Sequence, residues 1–132
     1  MSKKIDDSTD TFKGVSNSFQ YIGEHVYAYT GSKSFDGNET TVFEATTGSG
    51  LINAKIQASV QHDTSDDVLV KLYLNNVQVM GDLITSAPTE VLFFDPFRLL
   101  IPPNTTVKIT ADNEGSTSTL PIYITITGKV NG

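Results

Sequence analysis

From Ile52 to Gln61 the chain alternates without interruption, with Ile52, Ala54, Ile56, Ala58 and Val60 on one parity and Asn53, Lys55, Gln57, Ser59 and Gln61 on the other. Successive side chains of a strand point to opposite faces, so this segment is a β-strand with one dry and one wet face. A helix would scatter the same apolar residues around its circumference. Such a strand cannot bury its dry face alone. It needs neighbours within its sheet and a second layer packed against that sheet.

The rest of the chain supplies candidates for both. Alternation returns at Val68, Val70, Leu72 and Leu74, at Val107 and Ile109 within Thr105 to Ala111, and at Ile122, Ile124 and Ile126 before Gly128. Shorter runs of β-formers lie at His25 to Phe35, with a break at Gly31, and at Thr40 to Thr46. Asn75-Asn76 reads as a tight hairpin turn leading to Val77 and Val79, because Asn tolerates positive backbone angles. Thr89 to Phe94 and Phe97 to Ile101 are separated by Asp95-Pro96, and Pro102-Pro103-Asn104 makes a second stop. Proline cannot donate to a ladder, so each marks a strand boundary or bulge. No segment carries a helical stripe, and the 29 serines and threonines and 21 valines and isoleucines favour strands over helices. The expectation is an all-β chain of about eight strands, a two-sheet antiparallel sandwich of jelly-roll topology. An immunoglobulin-like sandwich and a barrel are the alternatives, the former weakened by the lack of cysteine and tryptophan.

At 132 residues the chain is one ordinary domain. Residues 1–20 are polar, with Phe12, Val15 and Phe19 as their apolar anchors, and read as an N-terminal arm or flexible leader ahead of a domain at 21–132. No apolar run beyond Ile5 stands at the start, so neither a signal peptide nor a membrane span is read there. Fifteen acidic and nine basic residues give a formal charge of -6, and Arg98 is the single arginine. That balance speaks against a nucleic-acid partner, which needs clustered positive charge.

Chemistry is sparse. His25 and His62 stand in different strand regions without a second ligand at metal-binding spacing, and Asp63, Asp66 and Asp67 lack the loop pattern of a calcium site. Glu44 and Glu90 are the carboxylates a glycoside hydrolase would need to bring together. The common nucleotide, zinc-protease and hydrolase motifs are missing. The expectation is therefore no catalytic residue, no metal and no cofactor.

The aromatic residues are more informative. Tyr27 and Tyr29 share one strand face, close in sequence to Tyr21, where rings serve a subunit contact or stack on a ligand. Adjacent Phe93 and Phe94 point to opposite faces, so one of them looks away from the core, towards a subunit contact or beneath a short loop. Phe12, Phe19, Tyr27, Tyr29, Phe93, Phe94 and Phe97 are the candidate interface residues. Leu69, Lys71 and Tyr73 make a mixed face on their strand, also compatible with oligomer packing.

VFEATTGSGLINAKI at Val42 to Ile56, VKLYLNNVQV at Val70 to Val79, LLIPPNTTVKITADN at Leu99 to Asn113 and IYITITGKV at Ile122 to Val130 are strand-turn blocks. In these the chain resembles small jelly-roll virion proteins of tailed bacteriophages, of the capsid decoration or attachment type. The resemblance implies a non-enzymatic structural protein, assembled in the host cytoplasm. It would bind the head surface as a homo-oligomer, a trimer above all, with the major capsid protein or another virion protein as partner. The alternative it implies is a receptor- or carbohydrate-binding module of a virion fibre or adhesin. That module would turn loops 31–39, 61–67 and 112–120 towards a receptor or host glycan.

Overall fold

Strand β5 (Leu51–His62) contains the long alternating segment, and β11 (Leu120–Asn131) lies beside it for most of its length. The computed structural model describes residues 18–62, 67–84, 90–93, 96–113 and 119–131; of 61–62, 82–84, 90–93 and 97 it describes the backbone. Among these residues the other strands are β1 (Gln20–Ile22), β2 (His25–Tyr29), β3 (Lys33–Phe35), β4 (Thr40–Thr46), β6 (Val68–Leu74), β7 (Val77–Ile84), β8 (Glu90–Phe93), β9 (Phe97–Ile101) and β10 (Thr106–Asp112).

The strands form two antiparallel sheets, of seven and four strands. In the larger, β5 and β11 are central; β2 and β3 both pair with the free side of β11, β1 adds outside β2, and β8 and β9 both pair with the free side of β5. The smaller runs β4-β10-β6-β7. Taking β2 with β3, and β8 with β9, as single lines that break, eight lines remain beside β1. The first pairs with the last, the second (β4) with the seventh (β10), the third (β5) with the sixth, and the fourth (β6) with the fifth (β7). That is one long hairpin rolled into two layers, the jelly roll expected from the alternation. It is neither the strand order of an immunoglobulin sandwich nor a closed barrel.

The breaks fall where the sequence places them. Gly31 adopts φ +67 between β2 and β3, and Thr30 mends the ladder there. Its hydroxyl accepts a hydrogen bond from the Ile124 N–H at 3.0 Å and donates to the Gly31 carbonyl at 2.7 Å. Asn75 and Asn76 have φ 50 and 66, the paired positive angles of a tight hairpin turn of the primed type. The Asn75 side chain also accepts from the Thr106 N–H, tying that turn to β10.

The core is the dry parity of each strand: Val26 and Ala28, Ile52 to Val60, Val68 and Leu72, Val107 and Ile109, and Leu120 to Ile126. On β4 the period slips. Ile109 pairs with Phe43 but Thr110 with Thr41, so Val42 is an extra residue. This bulge turns the consecutive Val42 and Phe43 both inward, at 1% and 0% exposure. Phe19 meets Phe43 edge to face, with ring centroids 5.5 Å apart, and the Tyr21 hydroxyl accepts from the Gly48 N–H at 2.9 Å. Residues 18–22 thereby close one edge of the sandwich.

Gly128 stands opposite Ala54 at the β5–β11 seam, where a Cβ would come within 2.8 Å of the Asn53 carbonyl oxygen and 2.9 Å of Ile52. Gly128→Ala is expected to destabilise the fold by about 1–3 kcal/mol through overpacking. Phe43→Ala should cost about 3–5 kcal/mol through the cavity it leaves. Both are read from urea unfolding midpoints.

Candidate functional site

The wet parity of the larger sheet forms a continuous outer face, and its register can be followed across five strands. One row runs Gln20, Tyr27, Thr127, Lys55, Arg98, and the next Ile22, His25, Lys129, Asn53, Leu100. A third joins Tyr29, Thr125 and Gln57. The two tyrosines expected on one face are there, Tyr27 42% and Tyr29 61% exposed, beside Ile22 at 66%. Tyr27 and Tyr29 line a shallow groove of about 440 Å³ with Ser18, Gln20, Thr125 and Thr127. On the other flank of Tyr27 lies a second groove, lined by the His25, Lys55, Arg98 and Lys129 side chains.

A different apolar patch occupies the opposite edge of the roll. There Leu74, Met80 and Leu99, half-buried, border a groove between β7 and β9, and Val77, Val79 and Leu100 are exposed. The other candidate interface residues divide. Phe19 is 8% exposed and packs inside its own sandwich, because its ring fills the space over Phe43, so it contributes no outer contact surface. The backbone of Phe93 pairs with Ser59 and that of Phe97 with Ile56. Phe12 and Phe94 lie outside the described residues.

The candidates for chemistry are not brought together. Glu44 belongs to the smaller sheet, opposite Lys108, whereas Glu90 belongs to the larger, opposite His62. Asp63 and Asp66 lie outside the described residues, and no group of three metal-ligating side chains occurs among those described.

A polar cluster among the described residues is on the outer face of the smaller sheet, centred on Glu39 in the loop before β4. Tyr73 Oη donates to Glu39 Oε2 at 2.5 Å and Thr110 Oγ1 to the same oxygen at 2.7 Å. Lys71 Nζ stands 3.9 Å from Oε1, and Lys108 Nζ lies 4.6 Å from the centre of the Tyr73 ring. The mixed face of Lys71 and Tyr73 thus fastens a loop of its own chain. The Tyr73 and Thr110 hydrogen bonds, with Lys71 and Lys108 nearby, hold the Glu39 carboxyl below its ordinary 4.5 despite partial desolvation. The same bond to Glu39 pushes the Tyr73 phenol above its ordinary 10.0. Nothing in the sequence marks Glu39 out, since a carboxylate in a turn is ordinary.

No protein-family model matches the chain, and no curated protein matches it. Among solved structures it is similar to a mutant VP2 protein of infectious bursal disease virus in derived T=1 particles, at a TM-score of 0.47 and 15% identity over 81% of this chain and 32% of that one. It is also similar to the VP2 subviral particle of the same virus (TM-score 0.45, 14% identity, 81% of this chain and 37% of that one). A third likeness is to infectious bursal disease virus Gt strain (0.44, 17%, 74% and 30%). The chain spans about a third of the length of these proteins.

A lowered carboxyl contributes stability that is complete above its unfolded pKa and lost as pH falls through the folded one. A raised phenol contributes stability that is complete below its unfolded pKa and lost as pH rises through the folded one. Both contributions are therefore whole at neutral pH. Glu39→Gln is expected to lower stability at pH 7 by about 1 kcal/mol, small because the site is partly solvated. It should also flatten the loss of stability below pH 4.5, checked by thermal unfolding across an acid pH series.

Proposed function

We propose that the chain is a non-enzymatic structural protein of a virus particle, a capsid decoration protein that binds the head surface as a homo-oligomer. The observation that carries this reading is the pair of unlike apolar patches at opposite edges of the roll. One is Tyr27 and Tyr29, at 42% and 61% exposure along the groove they line; the other is Val77, Val79 and Leu100, at 62%, 49% and 58%. Isolated exposed apolar residues are ordinary on a monomer, but grouped ones beside a groove mark contact surfaces. A contact between two different patches is head-to-tail, and when its rotation closes it makes a ring. A trimer is the ring this reading favours, with the Tyr29 side of one subunit against the β7–β9 edge of the next. The major capsid protein is the partner beneath it, and the head of a tailed bacteriophage is the particle.

A jelly roll by itself does not specify this role, since the fold carries many functions. What supports it is the cost of leaving the patches wet. Tyrosine is a common interface anchor, and truncating a central one costs about 2 kcal/mol or more in binding.

Light scattering of the purified chain should give a discrete oligomer, and the protein should co-sediment with heads assembled without it. Tyr29→Ala is expected to weaken self-association by about thirtyfold. A chain that stays monomeric at high concentration and leaves heads in the supernatant would overturn the reading.

A further inference from the structure

We propose that the groove on the other flank of Tyr27 binds a sugar acid, a pyranose ring carrying a single carboxylate. The groove has a volume of about 400 Å³ and is lined by His25, Tyr27, Asn53, Lys55, Arg98 and Lys129, with Thr127 and Gly128. It lies over β2, β11, β5 and β9, sharing Tyr27 and Thr127 with the groove beside Tyr29 and Arg98 with the groove at the β7–β9 edge. Binding there is a property of the single chain and is read on it directly, whatever particle the chain belongs to.

The first argument is charge. Arg98 is directly opposite Lys55 across the β5–β9 pair, on the outer face, where opposed side chains are close enough to interact and like charges destabilise a sheet. Among the described residues neither has a carboxylate within ion-pair distance, whereas Lys129 has Glu24 at 3.9 Å and Lys71 has Glu39 at 3.9 Å. A chain with a formal charge of -6 and one arginine has set that arginine beside another cation. An anion held between them would turn the repulsion into binding, and the guanidinium fork matches the two oxygens of a carboxylate.

The second argument is shape. The His25 and Tyr27 rings are stacked, 23° apart with centroids 6.4 Å from each other, and a tyrosine ring lining a groove can pack against the apolar face of a sugar. The Asn53 amide and the Thr127 hydroxyl, in the adjoining strands, can both donate and accept to ring hydroxyls. The central strands β5 and β11, which form the floor of the groove, are paired on both sides, so they offer no free backbone edge for strand addition by a peptide. Recognition there is by side chains alone. A long polyanion would meet repulsion from the rest of the acidic molecule, while a ligand with one charge meets the local cations.

The test uses the full chain, uniformly labelled with nitrogen-15, titrated with the methyl glycosides of glucuronic acid and of sialic acid. Methyl glucoside serves as the neutral control and acetate as the bare anion. Amide shifts are expected at residues 25–27, 53–55, 98 and 127–129 with at least one of the two acids, weakening as salt is raised. Arg98→Gln should weaken binding about tenfold or more, and Tyr27→Ala should weaken it as well. Lys55→Gln and Arg98→Gln each relieve a repulsion, so their melting temperatures should match or exceed that of the parent, which separates lost binding from lost fold. The proposal is overturned if neither acid shifts these amides at tens of millimolar, or if methyl glucoside binds as well. It is equally overturned if acetate reproduces the same shifts at the same concentrations, or if Arg98→Gln binds as the parent does.

Discussion

The pairing of β5 with β11, in register from Val60↔Ile122 to Leu51↔Asn131, determines both faces of the molecule at once. Its dry parity places Ile52, Ile56, Ile122, Ile124 and Ile126 beneath the smaller sheet, each at 3% exposure or less. Its wet parity lines up Thr127 with Lys55 and Lys129 with Asn53 on the outside. Slipping the register by one residue would exchange the two sets and expose the isoleucines, so the hydrophobic effect specifies the outer rows as strictly as the core. Gly128 belongs to the same constraint. The two backbones approach too closely there for a side chain, and the outer positions beside it are held by that contact.

The two edges of the roll are finished differently, and the difference comes from the segments at hand. At one, Phe19 enters between the sheets and Tyr21 bonds across to Gly48, so residues immediately before β2 cover the opening beside β4. At the other, the hairpin through Asn75 and Asn76 delivers β7 with Val77 and Val79 exposed, and β9 ends with Leu100 facing out. A roll closed on one side and apolar on the other presents unlike surfaces, which suits a directional contact better than a self-complementary one.

Much of this architecture is legible from residue parity and turn chemistry. The alternation at Ile52 to Gln61 and Ile122 to Ile126 identifies the central strands, and Gly31, Asn75-Asn76, Pro96 and Pro102-Pro103 mark interruptions that the structure places between strands. Tyr27 and Tyr29 are legible as an exposed face for the same reason. The short strand β1 is not, because Gln20, Tyr21 and Ile22 are all exposed and carry no alternation. Nor is the inward turn of Phe19, which depends on the bulge at Val42 and on Phe43, distant in sequence. Glu39 and the Lys55–Arg98 opposition need a register between strands, and no local pattern encodes one.

The two polar clusters of the outer faces show how packing and binding surfaces can be told apart. Around Glu39, one carboxylate receives two hydroxyl donors with a lysine nearby, and the opposite charges sit on a loop and a strand of a single chain. Such a cluster is complete, and its effect is to hold the loop before β4 against β10 and β6. Across the larger sheet the arrangement is reversed: Lys55 and Arg98 are opposed on neighbouring strands, with a nearby ring pair and an amide but, among the described residues, no carboxylate within ion-pair distance. Side chains arranged only for stability would alternate in sign across such a ladder. Two cations opposed across the β5–β9 ladder keep a repulsion that the proposed anion would relieve.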